Sequence, residues 1–234
     1  MTTLSRDGAA YERTLLESLS EELVSHGARS RAHRAVTRAL DVLIGGFLAL
    51  VFAPVMLLVA VAVKLDSPGP VLFRQQRVGR GGAMFTMLKF RSMRTDADES
   101  VHKEYVKRIY AEGATTVAAK LQSDDRVTRV GSLIRKTSLD EFPQFFNVLG
   151  GSMSVVGPRP LLPYEVEVMG ADNLDRFAVK PGLTGPWQVD GRGRTTFLEM
   201  MTLDVQYARK ATVLTDLWLV LRTPWAVLTA KGAK

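Results

Sequence analysis

The chain has 234 residues, which is enough for one domain with a substantial core, or for a domain with an extension. Its formal net charge of +7 favours a polyanionic partner: nucleic acid, anionic lipid or a phosphorylated substrate. The absence of cysteine excludes disulfides, thiolate metal sites and thiol catalysis, and the three histidines lack metal-ligand spacing, so serine–histidine chemistry and a histidine-rich metal centre are not expected.

Residues 1–28 are polar and mixed in charge, and we predict that they form a weakly ordered extension. The next segment is the most apolar of the chain. Val42–Val63 contains 22 residues without a charge, and such a helix is roughly 33 Å long, enough to span a bilayer. A buried core helix is the alternative, but globular helices rarely stay apolar on every side for this length. We therefore predict a membrane segment over residues 29–66.

Cations flank this segment on both sides, with arginines ahead of it and Lys64 and further arginines behind it. Because basic flanks stay on the cytoplasmic face, both ends should lie on that side. Pro54, near the middle, removes a helical hydrogen bond and should kink or break the helix. These features favour a re-entrant helix–break–helix, with residues 67–234 as a cytoplasmic, membrane-associated domain. A straight span is the alternative.

Beyond the membrane segment, two short apolar runs, residues 71–73 and 84–88, flank a glycine-rich turn and predict a β-hairpin. Lys180–Val189 reads as a turn followed by another strand. Most other segments read as helices: 95–112, 163–178, 197–207 and 213–229. The last carries an apolar, tryptophan-bearing stripe that suits an amphipathic helix in the membrane interface. The predicted fold class is α+β, mostly helical, with a re-entrant membrane helix, interfacial amphipathic helices and a small β-hairpin.

Two adjacent carboxylates, Asp140 and Glu141, follow the cations Arg135 and Lys136. A carboxylate pair beside fixed positive charge can act on phosphate esters, with one acid as nucleophile or metal ligand and the other handling protons. The alternative is a helix capping box formed by Ser138 and Glu141.

The position of Pro143 weighs against the capping box. Proline is tolerated only in the first turn of a helix, so the helix that follows should begin near Leu139 or Asp140. Ser138 would then lie too early to cap it. Asp140 would lie at the positive end of the helix dipole, where a phosphate would also be attracted.

Further cations occur in settings that suit an anion. Arg159 lies between two prolines, which restrict the backbone and favour a bidentate phosphate contact, although a rigid surface turn is the alternative. Arg192 and Arg194 lie in a glycine-spaced loop, whose backbone can approach an anion closely, but nucleic-acid patches look similar. A membrane segment, a carboxylate pair and separate cations together indicate an enzyme that acts on a phosphorylated lipid at the membrane surface.

Five blocks of sequence occur in a fixed order over roughly 200 residues. They are KLDSPGPVLFRQ (64–75), KFRSM (89–93), LIRKTSLDEFPQ (133–144), VGPRP (156–160) and KPGLTG (180–185). In this order they resemble the bacterial sugar transferases that are monotopic phosphoglycosyl transferases. Two positions depart from the family pattern: Ala53-Pro54 replaces the frequent Ser-Pro at the helix break, and Gly185-Pro186-Trp187-Gln188 replaces the more usual Gly-Trp-Ala-Gln.

The resemblance implies a reaction in which a sugar-1-phosphate moves from a UDP-sugar to polyprenyl (undecaprenyl) phosphate, with Mg²⁺ and release of UMP, to start a cell-surface glycan. It implies that Asp140 is the nucleophile that forms a covalent phosphosugar intermediate and that Glu141 is its proton-handling partner, with both carboxylates as metal ligands. The candidate phosphate contacts are Arg135 and Arg159, followed by Lys89, Arg91, Arg192 and Arg194.

The same resemblance implies a place in the bacterial inner membrane, with the catalytic part on the cytoplasmic face. The expected partners are a UDP-sugar, undecaprenyl phosphate and membrane lipid, with no nucleic acid, and a homodimer is left open. The alternative function is a membrane-tethered basic protein that binds anionic lipid or nucleic acid without catalysis. That protein would not need Asp140 or Glu141, and its binding would fall steeply with salt.

Overall fold

The computed structural model describes residues 30–94, 104, 126–169, 171–191 and 196–229. The predicted N-terminal extension, nearly all of the predicted helix 95–112, and both Arg192 and Arg194 lie outside the described residues. The elements confirm the predicted α+β class, since helices dominate and the strands form two small sheets.

The longest element is helix α1, Arg31–Asp66, of 36 residues. Ser30 caps it by accepting a hydrogen bond from the His33 backbone N–H. Among the described residues, α1 is the one helix that is long and apolar enough to cross a membrane. Its helical pattern continues through Pro54, so the expected break into two helices is absent from the backbone. Pro54 still cannot donate to the carbonyl four residues earlier, and a bend at this point stays a prediction.

One stripe of α1 packs against the rest of the chain along the whole helix. Near the start, the Arg38 guanidinium donates to the Val148 and Leu149 carbonyls at 2.6 Å each. Near the end, the Asp66 carboxylate accepts the Val130 N–H at 3.0 Å. The opposite face exposes large apolar side chains: Val42, Leu43, Phe47, Leu50, Val51, Leu57, Leu58, Val61 and Leu65. Both ends of α1 therefore contact the same folded body, and its outer face is apolar.

The predicted β-hairpin is confirmed. Strands β1, Leu72–Val78, and β2, Met84–Phe90, pair antiparallel, with Leu72 opposite Phe90 and Val78 opposite Met84. The connecting turn has Gly81 at φ 65°, a left-handed conformation that glycine adopts without strain.

A second sheet joins two segments that are distant in sequence. Strand β3, Ser154–Val156, runs parallel to β4, Gly182–Thr184. The backbones approach so closely that a Cβ atom on Gly182 would lie 2.1 Å from the Gly157 nitrogen, and only glycine allows this pairing. A turn followed by a strand was predicted over Lys180–Val189, and β4 is a strand in that stretch. The last residues of the stretch belong instead to a π-helical turn, Trp187–Gly191.

The remaining helices surround these sheets. They are α2 (Arg129–Lys136), α3 (Gln144–Gly150), α4 (Pro163–Met169), α5 (Phe197–Lys210) and α6 (Val213–Thr229), with a 3-10 segment at Ala171–Ala178. Helix α5 buries Met200, Met201 and Asp204. Helix α6 turns Leu219 inward and exposes the opposite stripe that includes Trp218 and Trp225, as its predicted amphipathic pattern requires.

Candidate active site

The carboxylate pair lies on a 3-10 turn, Leu139–Glu141, between α2 and α3. Ser138 enters this turn in a left-handed conformation, φ 58°, and its side chain makes no capping hydrogen bond. The capping box is therefore absent. The α-helix begins at Gln144 and not at Leu139 or Asp140 as predicted, because Pro143 has no N–H to give to the Leu139 carbonyl. That carbonyl accepts the Phe142 N–H instead, at 3.3 Å, which is the 3-10 pattern.

The turn opens into a cleft to which six separate segments contribute polar side chains. They are Arg77 from β1, Lys89 from β2, Glu141 from the 3-10 turn, Gln144 from α3, Arg159 from the loop after β3 and Gln188 from the π-helical turn. The Lys89 Nζ atom lies 2.9 Å from the Glu141 Oε1 atom, so one cation is held directly against the pair. The lining is predominantly polar and cationic, as a phosphate-bearing substrate requires.

Asp140 lies beside this cleft in a setting that changes its chemistry. Burial raises the pKa of Asp140 to about 6, with repulsion from Glu141 adding to the rise and attraction from Lys89 and Arg135 opposing it. A carboxylate with this pKa is ionised at neutral pH and more basic than an ordinary aspartate. Both properties suit a nucleophile in a partly desolvated site.

The geometry of the pair is fixed by contacts on the far side of the turn. Asn147 of α3 accepts the Leu88 N–H at 2.9 Å and donates to the Thr86 carbonyl at 2.7 Å, which ties α3 to β2. The Phe142 ring lies 4.8 Å, centroid to centroid, from the Phe52 ring of α1. The carboxylate turn is therefore held between the hairpin that carries Lys89 and the middle of the apolar helix, two residues before Pro54.

The other residues that were predicted to contact phosphate lie in different parts of the structure. Arg159 lines the cleft, with its guanidinium 5.6 Å from the centre of the Trp187 ring. Arg135 is not among the lining residues, but its charge acts on Asp140. Arg91 is buried and donates to Pro68 and Ser67 at 2.7–3.0 Å, so it fastens the turn after α1 and the geometry does not support a phosphate role.

Three polar side chains of the cleft were missed by the sequence reasoning: Arg77, Gln144 and Gln188. Arg77 counted there only as a charge flanking the apolar segment. Burial lowers the pKa of Arg77 to about 10, which leaves it charged at neutral pH. The Oε1 atom of Gln188 is buried without a hydrogen-bond partner. Strand alternation around Arg77 was the available signal, since residue 77 lies in the predicted hairpin region.

Asp140 and Glu141 are also the residues that could hold a divalent cation. Mg²⁺ usually takes one or two carboxylates from the protein and completes its shell with water and substrate phosphates. Two adjacent carboxylates, one with a pKa raised by burial and further by repulsion from its neighbour, fit that requirement. In the part of the chain that the structure describes, no group of three or more acidic or imidazole side chains offers a larger ligand set.

Comparison with known proteins identifies the family. The model of the family described as "Bacterial sugar transferase" matches residues 32–230, which include α1, the carboxylate turn and every cleft residue. The chain belongs to the bacterial sugar transferase family. The resemblance seen in the five sequence blocks is therefore confirmed.

Several curated members of the family are similar over most of this chain. The UDP-glucose:undecaprenyl-phosphate glucose-1-phosphate transferase of Caulobacter vibrioides is 42% identical over 84% of this chain and 71% of its own length. The exopolysaccharide production protein ExoY of Rhizobium meliloti is 37% identical over 84% of this chain and 87% of its own. The galactosyl transferase CpsE of Streptococcus agalactiae is 40% identical over 87% of this chain, which spans only 44% of that longer protein.

Proposed function

We propose that this member of the family transfers a sugar-1-phosphate from a UDP-sugar to undecaprenyl phosphate, releases UMP, and so starts a cell-surface glycan. The observation that carries the proposal is the carboxylate pair of Asp140 and Glu141 at a cationic cleft, fastened through Phe142 to the apolar helix at Phe52. This arrangement supports a reaction in which Asp140 is an ionised nucleophile that both a soluble diphosphate and a membrane-held phosphate can reach. Relatives named for transfer to undecaprenyl phosphate support the same reaction.

The chemistry follows from the roles these side chains can play. A carboxylate oxygen of Asp140 attacks the phosphorus that bears the sugar, and the bond from that phosphorus to the bridging oxygen breaks. UMP leaves with the bonding electrons, and the sugar phosphate stays on Asp140 as a mixed anhydride. An oxygen of undecaprenyl phosphate then attacks the same phosphorus and restores the free carboxylate. Charge is conserved in each half-reaction, because one oxyanion attacks the phosphorus and another leaves it: UMP in the first half-reaction and the Asp140 carboxylate in the second.

The cations of the cleft offset the charge that gathers during transfer. Lys89 and Arg159 are placed to hold substrate phosphate oxygens, and Arg77 adds a fixed positive charge behind them. Glu141, paired with Lys89 at 2.9 Å, keeps that ammonium group at the cleft and is available to handle a proton. We include Mg²⁺ in the proposal, held by Asp140 and Glu141, where it would neutralise charge on the diphosphate of the donor and on the UMP that leaves.

The packing of α1 supports a course in which both ends of the helix stay on the cytoplasmic face of the inner membrane, which is the part of the re-entrant prediction that does not need a break at Pro54. Arg38 near its start and Asp66 at its end both bond to the same body, so a straight span would have to carry that body into the bilayer. A cytoplasmic body on one leaflet avoids this, since the apolar outer face of α1 alone then meets lipid. Cysteines placed at Arg31 and Lys64 should both react from the cytoplasmic side. Reaction from opposite sides would establish a straight span.

The deciding experiment incubates the purified protein with UDP-glucose, UDP-galactose and UDP-N-acetylglucosamine, each with Mg²⁺ and undecaprenyl phosphate. We expect UMP release with at least one donor and, when the lipid is left out, an increase in intact mass equal to one sugar phosphate. Asp140→Asn should abolish both signals, and Asp190→Asn, at a half-exposed surface carboxylate, should keep both. Full UMP release by Asp140→Asn would show that Asp140 is not the nucleophile. No UMP release by the unaltered protein with any donor would favour a binding protein instead.

A further inference from the structure

The loop that carries Arg159 is held at two consecutive backbone carbonyls by two buried arginines. The Arg176 Nη2 atom donates to the Arg159 carbonyl at 2.8 Å. The Arg77 Nη1 atom donates to the Pro160 carbonyl at 3.0 Å. These arginines come from different elements, the 3-10 segment Ala171–Ala178 and strand β1, so the loop is fixed from two directions.

Each arginine is fixed in turn by a buried carboxylate. Arg176 pairs with Asp204 of α5, and both side chains are fully buried. Arg77 lies 3.6 Å from Glu165 of α4, whose carboxylate also accepts the Leu162 N–H at 2.6 Å. Charged side chains are seldom fully buried unless they are paired, and even paired they cost free energy to remove from water.

Stability alone does not account for the Arg176–Asp204 pair. Replacing a buried ion pair with apolar groups is often neutral or stabilising. Here the cost is increased, because the Arg176 Nε and Nη1 atoms and the Asp204 Oδ1 atom are buried without a hydrogen-bond partner. Such unsatisfied groups call for an explanation other than packing. Besides Asp204, Arg176 contacts the Arg159 carbonyl and lies 5.6 Å from the centre of the Phe177 ring, and of these two contacts the first reaches the loop at the cleft.

The local backbone shows why that contact matters. Pro158 and Pro160 have φ angles fixed by their rings, and a residue before proline is restricted as well. The proline rings do not fix the orientation of the two peptide planes that flank Pro160, which contain the carbonyls of Arg159 and Pro160. Hydrogen bonds to the carbonyls of Arg159 and Pro160 fix those two planes, and they thereby fix the direction in which the Arg159 side chain leaves the loop.

We infer that Arg176 with Asp204, and Arg77 with Glu165, are positioning residues that hold the Arg159 guanidinium at the substrate cleft. The inference rests on the proposed function, in which Arg159 binds a phosphate of the UDP-sugar. It extends that function to four residues, of which Arg176, Asp204 and Glu165 are not among the residues that line the cleft.

The test is a double-mutant cycle between Arg159 and Arg176, measured on UMP release. Arg176→Lys keeps the charge but shortens the side chain, so its ammonium group does not reach the place where the Nη2 atom bonds to both Asp204 and the Arg159 carbonyl. We expect it to raise the KM for the UDP-sugar about 10-fold, the size of one lost charge-assisted hydrogen bond. Arg159→Ala should raise KM more, and the double variant should be no worse than Arg159→Ala alone, because Arg176 acts through Arg159. Multiplied effects in the double variant would overturn the inference.

The matched control is Arg209→Lys. Arg209 pairs with Asp175, which joins the same two elements as Arg176 and Asp204, but this pair is exposed on the Arg209 side and none of its hydrogen bonds reaches the Arg159 loop. KM should stay at the unaltered value in Arg209→Lys. If Arg176→Lys does not fold, the doubly neutral variant Arg176→Gln with Asp204→Asn leaves no unpaired buried charge. It should keep its Tm and still show the raised KM, and a normal KM in a folded double variant would overturn the inference.

The two proposals fail in different ways. If the unaltered protein releases UMP and Arg176→Lys matches it in KM, the positioning inference is wrong and the proposed function stands. If Arg159→Ala has no effect on KM or turnover while Asp140→Asn is inactive, Arg159 is not a substrate contact, and the positioning inference is overturned with it. If the unaltered protein releases no UMP from any donor, the proposed function itself is wrong.

Discussion

The Lys89 ammonium group lies 2.9 Å from the Glu141 carboxylate, although 52 residues separate them in the chain. The contact joins the end of β2 to the 3-10 turn that carries both acids. Lys89 also lowers the pKa of Asp140 against the effect of burial. One cation therefore orients Glu141 and helps to keep Asp140 ionised.

Replacing Lys89 with methionine should lower the rate of UMP release about 100-fold or more, because a charged group that stabilises a phosphate transfer is lost. The acid limb of the pH–rate profile should also move to higher pH, since Lys89 opposes the rise in the Asp140 pKa. Arg74→Met, at an exposed position of β1, is the matched control and should change neither. A profile that keeps its acid limb in Lys89→Met would show that Lys89 does not act on Asp140.

The unaltered protein should lose activity as the pH falls through about 6, the pKa to which burial raises Asp140. The nucleophile must be ionised, so the rate of the first half-reaction should fall about tenfold for each pH unit well below that value. The measurement is UMP release without lipid acceptor from pH 4.5 to 8. A rate that stays level down to pH 4.5 would contradict the raised pKa.

Asp140→Asn should make the folded protein more stable at pH 8. The folded-state pKa of about 6 exceeds the ordinary value of about 3.9, so the folded state binds the proton more tightly than the unfolded state. Ionisation of Asp140 then costs folding free energy, in full above pH 6 and progressively less towards pH 4. Removing the charge should raise Tm by about 2–4 °C at pH 8, for a gain on the order of 1 kcal/mol.

The control for this prediction is Asp190→Asn. Asp190 is half-exposed and paired with Arg222, so the Tm of this variant should stay near that of the unaltered protein. The Tm gain of Asp140→Asn should shrink as the pH is lowered towards 4. A gain of equal size at pH 4 and pH 8 would point to a cause other than ionisation.

Arg91→Ala should affect stability and not substrate binding. The Arg91 guanidinium donates to the Ser67 carbonyl at 2.7 Å and to the Pro68 carbonyl at 3.0 Å, and its removal leaves these acceptors unpaired beside a cavity. We expect a loss of about 2–4 kcal/mol in the free energy of unfolding. The KM for the UDP-sugar should be normal in the folded fraction. A large rise in KM with an unchanged Tm would instead support the prediction from the sequence that Arg91 contacts a substrate phosphate.

Local patterns in the sequence determined much of this protein. Unbroken apolar character from Val42 to Val63 determined α1, and two apolar runs around a glycine turn determined the hairpin. Pro143 weighed against the capping box, and the structure shows none at Ser138, although the helix start predicted from Pro143 was wrong. Each of these follows from hydrogen bonds and side-chain periodicity within a few residues of the feature.

Only the tertiary structure decided which cations serve the site. Lys89 and Arg91 are two residues apart in one sequence block, yet Lys89 reaches Glu141 while Arg91 turns to the end of α1. Strand alternation around Arg77 did not indicate its partner, Arg176 carried no local signal, and the roles of the two arginines depend on carbonyls 83 and 17 residues away. The sequence identifies an arginine or lysine but does not show in which direction its side chain points in the fold. Its partner is chosen by the packing of elements distant in the chain, and that packing also buries Asp140 and raises its pKa.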